Sequence, residues 1–386
     1  MDNLIELMMK LIKSEVCGTA LDIDSPISLS EVESQKLYAI SKSHDIAHIV
    51  GSALRKNRVE IDKSVEANFQ KQILLSVYRY EKINYDYLKI CENFESAEIP
   101  FVPLKGSVVR GYYPEPWIRT SCDIDILVHD EDINKAINLL VQKFSYSISN
   151  KKGYHDITLY SPSDVHLELH FNIKENMENI DPLLGRVWDY CTVVEGKKYE
   201  HRQSNEYLMF HLISHMSYHF IHGGCGIKPF MDLYVLDANL KYDREELVKM
   251  CRECGLERFY NSVYELSSVW FGEAEETTLT KRMETYLLVG GVYGTEEQYI
   301  AVQQKDEGGK IKYMLRKMFL PYNTLKRLYP VVEKHRWLVP ICHIRRWFSL
   351  ILPSKLQYSV RKLRVATTMD KTKVSAVAQL MNDVGL

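Results

Sequence analysis

The run Asp123-Ile124-Asp125-Ile126-Leu127-Val128 sets the tightest limit on what this chain folds into. Acids alternate with branched apolar residues and then give way to an unbroken apolar end. Residues two apart on a strand face the same side. The run therefore reads as a strand with Ile124 and Ile126 in a core and both carboxylates on the opposite face. Two carboxylates on one face repel unless something positive lies between them. Hard divalent cations with oxygen ligands, Mg²⁺ above all, supply that charge.

The sequence around this strand predicts an α+β fold, a small mixed sheet with flanking helices and helical regions at both ends. Ser30-Glu31-Val32-Glu33 has the form of a capping box that starts a helix. Phe69, Ile73, Leu74, Val77, Tyr80, Ile83, Leu88 and Ile90 recur at helical spacing between about Val65 and Phe94. The pattern then changes. Ile99-Pro100-Phe101-Val102-Pro103-Leu104 reads as a strand ending in a tight turn at Lys105-Gly106-Ser107, with a helix from about Val108. Glu131 to Phe144 is helical. Tyr146–Ser149, Asp156–Tyr160 and Val165–Phe171 read as strands, with Lys151-Lys152-Gly153 as a turn. Helices resume near Glu206, capped by Ser204 or Asn205, are broken at Gly290–Gly294, and reach a joint at Asp306-Glu307-Gly308-Gly309. Four regions are expected: an N-terminal helical region at 1–90, the mixed core at 91–203, a helical domain at 204–304 and a helical C-terminal segment at 305–386.

Bulk properties exclude several classes. A chain of 386 residues with 46% hydrophobic content is ample for two or three packed units, and neither disordered nor fibrous. Its 8 cysteines follow no framework spacing, which favours free thiols in a reducing compartment. The first ten residues carry an early acid and no unbroken apolar run, unlike a secretory signal. No stretch approaches the ~18–20 apolar residues of a membrane span. A cytoplasmic setting is expected. The net charge of −2 hides an asymmetry: residues 305–386 hold 17 Lys and Arg against 5 Asp and Glu, an excess of +12, leaving −14 on the first 304 residues.

Two further motifs join the acid pair. Lys105-Gly106-Ser107 lies at a strand-to-helix turn, where glycine lets a phosphate approach the backbone and a helix N-terminus offers free amides. In His166-Leu167-Glu168-Leu169-His170 the alternation puts His166, Glu168 and His170 on one face. Glu168 can then join Asp123 and Asp125 from a neighbouring strand. Three carboxylates holding two metals suit in-line attack at phosphorus, and the third can take a proton from the attacking hydroxyl.

Lys105-Gly106-Ser107, Arg119 ahead of Asp123-Ile124-Asp125, and Leu167-Glu168-Leu169-His170 together resemble the bacterial uncharacterised nucleotidyltransferase family of the polymerase-β-like superfamily. His215-x-x-x-His219, Gly226 to Asp232, Gly290 to Gly294, Phe319-Leu320-Pro321 and Leu328-Tyr329-Pro330 resemble its helical C-terminal half. The resemblance implies a nucleotidyltransferase core at 91–203 and transfer of a nucleoside monophosphate from an NTP such as ATP, with pyrophosphate release. It implies two Mg²⁺ or Mn²⁺ ions on Asp123, Asp125 and Glu168, and an NTP at Lys105, Gly106, Ser107 and Arg119. The acceptor hydroxyl, on a small molecule, a protein or RNA, stays open. Two departures stand out: Tyr112-Tyr113-Pro114-Glu115-Pro116 lengthens the gap before Asp123, and the third carboxylate is Glu rather than the commoner Asp.

Other readings compete. An Asp-x-Asp glycosyltransferase would need a nucleotide-sugar-binding βαβ unit where the chain reads as helical. A degenerate, antitoxin-like nucleotide-binding module would not need all three carboxylates. Arg119 either clamps a triphosphate or pairs with Asp123 or Glu115. His170, His215, His219 and Asp232 are candidates for the wall of the active cleft. His215 and His219, with His211 a turn earlier, are otherwise buried and hydrogen-bonded or hold zinc, and Asp232 otherwise caps a helix. Cys251-x-x-Cys254 lacks a second pair and reads as two helical cysteines. In the C-terminal segment, His335-Arg336-Trp337, Arg345-Arg346-Trp347-Phe348 and Arg361-Lys362-Leu363-Arg364 interleave bases with apolar residues. That segment either docks on the acidic remainder, binds RNA or another polyanion, or lies on an anionic membrane surface.

Overall fold

The structure, a computed structural model, describes residues 2–21, 26–153, 155–292, 294–306, 310–351, 361, 364–365 and 367–386. Its helical N-terminal part comprises α1 (Asp2–Cys17), α2 (Glu31–Ser43), α3 (Ala47–Lys56) and α4 (Lys63–Ser96). The Ser30/Glu33 capping box forms as its spacing predicts, each side chain meeting the other residue's backbone amide. Asp62 caps α4 through the Ser64 amide. That helix stops where Glu98 takes a positive φ of 54° ahead of Ile99-Pro100, since proline cannot continue the ladder.

The sheet follows: β1 (Phe101–Pro103), a short helix α5 (Gly106–Val109), β2 (Asp123–Val128), α6 (Ile133–Phe144), β3 (Ser147–Lys152), β4 (Asp156–Tyr160) and β5 (His166–His170). The strand order is β1-β2-β5-β4-β3, with β2 and β5 parallel and the other pairs antiparallel. Three local details differ from the sequence reading. Helix α5 starts at Gly106, two residues early. Strand β3 runs through Lys151 and Lys152, pairing Lys152 with Ile157 across a register shift. A two-stranded hairpin of β6 (Cys191–Val193) and β7 (His201–Gln203), too short and polar to announce itself, follows a brief helix α7 (Asp181–Leu184).

Helices α8 (Asn205–Ile221), α9 (Lys228–Asn239), α10 (Arg244–Glu253), α11 (Glu257–Phe271), α12 (Thr278–Gly290) and α13 (Glu296–Asp306) form the second helical part. Ser204 caps α8 through the Tyr207 amide. Then come α14 (Lys310–Met318), α15 (Tyr322–Leu328), α16 (Val331–Lys334), α17 (Val339–Ile351) and α18 (Lys371–Val384). The expected joint at Glu307-Gly308-Gly309, Tyr293 of the Gly-rich stretch and Lys362-Leu363 lie outside the described residues. Among the described residues no helix is long and apolar enough to cross a membrane.

The two faces of the sheet belong to different cores. Ile124, Ile126, Leu167 and Leu169 pack with Ile83, Ile90 and Phe94 of α4 and with Ala136 and Leu140 of α6. The other face contributes Val102 and Leu127 to a larger core, which joins Leu11 and Ile12 of α1, Phe69 of α4, Phe210 and Phe220 of α8 and Phe259 of α11. Helix α4 thus enters both cores, and the helical regions before and after the sheet share one of them.

Candidate active site

The carboxylates stand on the sheet face turned toward the second helical part. Parallel pairing places Asp123 opposite His166, Asp125 opposite Glu168 and Leu127 opposite His170. Neighbouring strands lie about 4.8 Å apart, so five polar side chains share one small patch. His170 Nε2 lies 2.9 Å from Asp125 Oδ1 and 3.6 Å from Glu168 Oε2. His166 Nε2 lies 3.9 Å from Glu168 Oε1. Potential ligand atoms fall into two overlapping groups, Asp123/His166/Glu168 and Asp125/Glu168/His170, each within 4.8 Å of one another.

Lys105 closes the patch from the turn after β1. Its Nζ is 3.9 Å from Asp125 Oδ1. Burial pulls this ammonium's proton affinity down, but Asp125, Glu175, Glu168 and Asp123 outweigh it and the pKa rises. Burial pushes Asp125 up, yet Lys105 and the His170 hydrogen bond hold it well below the usual carboxylate range. Asp123 is raised by burial and by the charge of Asp125. Glu168 is pushed to about 7 by burial, then by Asp125 and Asp123. One ammonium does not neutralise three carboxylates. Divalent ions on the same oxygens would, so the donor set fits the ions that the acid pair implies.

The turn is tied to the strand behind it. Arg110 donates to Gly106 O at 2.8 Å and to Ser121 Oγ at 2.6 Å, and Ser121 Oγ donates to Asp123 O at 3.1 Å. Gly106 has ordinary backbone angles, and a Cβ there would come no closer than 3.4 Å to Ser121. Packing within the chain does not demand a glycine there. Ser107 is half-buried beside it.

Arg119 is engaged elsewhere. Its Nε donates to both Asp232 oxygens at 2.7 and 2.9 Å, and Nη1 donates to Thr120 O at 2.7 Å. Tyr113 Oη donates to Asp232 Oδ1 at 2.6 Å. Lys228 pairs with Asp45 and donates to Thr120 Oγ1 at 2.7 Å. Asp232 is thus Arg119's partner, rather than Asp123 or Glu115, and this network clamps the 113–121 stretch to α9.

On the opposite wall, His215 Nδ1 lies 2.6 Å from Glu175 Oε1, and His219 Nε2 lies 3.1 Å from His215 Nε2. Burial and then Lys105 lower His215, against the opposing pull of Glu175, while Glu175 is lowered to about 2: burial raises it, but the His215 hydrogen bond and charge prevail. The Glu175 carboxylate can only accept, so His215 donates to it from Nδ1. Lys105 acts electrostatically on Glu175, His211, His215 and His219 as well as on the carboxylates, which places this wall next to the cleft. Sequence reasoning assigned no role to His166 or Glu175. The alternation that selected Glu168 and His170 also selects His166; nothing local marks Glu175. Two surface hollows lined in common by Tyr112, Arg202, Gln203 and Asn205 share no residue with the carboxylate patch. The convergence of charged groups marks the site.

A small mixed sheet flanked by helices, with three acids on two adjacent parallel strands and a cationic turn beside them, is the arrangement expected of a nucleotidyltransferase. A model of the uncharacterised nucleotidyltransferase family matches residues 30–272, from the cap of α2 to the end of α11, and the chain belongs to that family. All the site residues lie inside the match; the pieces at 290–294, 319–321 and 328–330 lie beyond it. No curated protein and no solved structure matches the chain. The protein is an enzyme of nucleotidyl transfer, which sets aside the glycosyltransferase alternative.

Proposed function

We propose that the chain transfers a nucleoside monophosphate from an NTP to an acceptor hydroxyl and releases pyrophosphate, with Mg²⁺ or Mn²⁺ in the site. Asp123, Asp125 and Glu168, side by side on one sheet face with Lys105 against them, carry this reading. Asp123, Asp125 and Glu168 would hold a pair of divalent ions, which would supply charge for the entering and leaving oxygens of an in-line displacement.

The chain's own groups have separable tasks. Lys105 contacts the phosphates, and Gly106 and Ser107 offer a close backbone approach and a hydroxyl. His170 donates to Asp125 and keeps that carboxylate aimed. Glu168, the acid its surroundings bring nearest to neutral pH, takes the proton of the attacking hydroxyl. Arg119 acts at one remove, holding the stretch ahead of β2 through Asp232. His215 and His219 line the acceptor side of the cleft. The acceptor is a small molecule, a protein or an RNA. The 8 free thiols support a reducing, cytoplasmic setting. We also infer that the basic segment from residue 305 onward docks in part on the acidic remainder of the chain, in keeping with the Arg361–Glu296 and Lys373–Glu297 pairs and with Leu380 and Met381 of α18 in the larger core. The stretch around α17 meets a polyanion or an anionic membrane surface, in keeping with its exposed Trp337 and Phe348.

The test incubates the protein with labelled ATP, GTP, CTP and UTP, Mg²⁺ and cell extract, beside an Asp123→Ala/Asp125→Ala control. Label passing to protein, RNA or small molecules only with the unaltered chain is the expected result. Equal labelling by both would end the catalytic proposal.

A further inference from the structure

We propose that His166 is itself a metal ligand, so that the outer ion position, shared with Asp123 and Glu168, takes a nitrogen-accepting divalent metal such as Mn²⁺ in preference to Mg²⁺. This rests on the metal-dependent reading above and goes beyond it: it adds a ligand and specifies the chemistry of the ion.

The two histidines of β5 lie on the same sheet face yet are placed differently. His170 is 1% exposed, and its Nε2 is taken by Asp125 at 2.9 Å. That is the position of a group that orients a ligand. His166 is half-buried, and its Nε2 is shielded from solvent with no hydrogen-bond partner. This nitrogen is 3.9 Å from Glu168 Oε1, a separation too long for a hydrogen bond and suited to two donors sharing one ion. Asp123 completes the group, with all three ligand atoms within 4.8 Å of one another. Bonds of about 2.0–2.2 Å to a common ion need only small side-chain adjustments from there.

The ring is also held in place. His166 pairs with Tyr160 across the antiparallel β4–β5 ladder, and the two rings stack with centroids 5.3 Å apart and planes at 19°. A buried imidazole nitrogen without a partner costs free energy, which coordination of an ion would recover. The donor set is then one nitrogen and two carboxylates. Mg²⁺ prefers an all-oxygen octahedron and gains little from imidazole, whereas affinity for nitrogen rises from Mn²⁺ through the later first-row metals. Glu168 belongs to both ligand groups, so the outer ion would share it with the inner one at Asp125.

Mn²⁺ is the probe, because its paramagnetism reports its ligands without turnover. The full chain is titrated with Mn²⁺ followed by electron paramagnetic resonance, and pulsed measurements look for the ¹⁴N coupling of a coordinated imidazole. That coupling is expected in the unaltered chain. It disappears in His166→Phe, which keeps a ring on Tyr160 but lacks the nitrogen, and in His166→Asn. Mn²⁺ affinity falls by about tenfold or more in both while Mg²⁺ affinity changes little. Thermal melts identify variants that fold, and either one suffices. Bound Mn²⁺ without nitrogen coupling, or coupling that survives both His166 variants and vanishes in His170→Phe, overturns the assignment and leaves the metal-dependent reading standing. Mn²⁺ binding that is absent, or unchanged by Asp123→Ala/Asp125→Ala, sinks both.

Discussion

Lys105 sits at φ 42° and ψ −116°, angles that glycine adopts readily and other residues avoid. Such a residue costs on the order of 1–3 kcal/mol and persists where its side chain has a task. Here that task is to bring an ammonium to three carboxylates. Two truncations separate backbone from charge. Lys105→Ala and Lys105→Gly both abolish the charge, but Lys105→Gly is expected to be more stable than Lys105→Ala by about 1 kcal/mol in urea melts, with both losing NTP turnover. Equal stability would mean that the turn relaxes. Asp232 presents the opposite case. Its side chain is 2% exposed and holds Arg119 and Tyr113. Asp232→Ala strands a buried guanidinium and is expected to cost about 3–5 kcal/mol, whereas a drop under 1 kcal/mol would show that Arg119 finds water or another acceptor.

At the scale of elements, the parallel β2–β5 pair makes the site. In-register pairing of Asp125 with Glu168 brings together carboxylates 43 positions apart in the chain. The two local motifs were legible because strand alternation is a period of two and each run is short and apolar on one side. Their register was not, because it depends on how the β3–β4 hairpin lets β5 insert beside β2. Helix α17 raises a different question. Ile341, Ile344 and Phe348 fall on one face, with Trp337 a turn before it, and all four are exposed: 53%, 48%, 70% and 71%. Exposed Arg336 and Arg345 flank them. Such a face suits an anionic surface. Sedimentation with phosphatidylserine vesicles but not with phosphatidylcholine vesicles is expected, weakened by Trp337→Ala/Phe348→Ala. Binding to RNA alone would assign the segment to a polyanion instead.

At the scale of the whole molecule, several histidines are buried, among them His48 and His211, and that shapes the response to pH. His211 and His48 are lowered to about 3 and about 4, in both cases mainly by burial, with Lys105 adding to the effect on His211. A base whose folded pKa lies below its unfolded value of about 6.5 destabilises the fold as pH drops beneath 6.5, because the unfolded chain binds the extra proton. Glu175, facing His215, Lys105 and His211, is lowered to about 2; its contribution is complete above its unfolded pKa and is lost as pH falls toward 2. Both effects act in the same direction and together outweigh Glu168, whose folded pKa of about 7 lies above its unfolded value and so adds stability as pH falls through that range. Urea midpoints are expected to be level above about pH 7 and to fall steadily below about 6.5. The Glu175→Gln variant should lose the part of that decline below about 4.5. A midpoint constant from pH 7.5 to 5 would mean that these histidines reach solvent.

The sequence by itself determined the elements that carry chemistry: a strand with two acids on its polar face, a second with Glu168 and His170, a cationic turn, and helices before and after. These follow from periodicity and local backbone preference, which act within a few residues. Only the tertiary structure decided which groups meet. It paired Arg119 with Asp232, joined Glu175 to His215, aimed His166 into the carboxylates, and turned the acid face of the sheet toward the second helical part. Those contacts link residues far apart in the chain. They are set by how two apolar cores close around α4 and the sheet, and by the requirement that every buried charge find a partner.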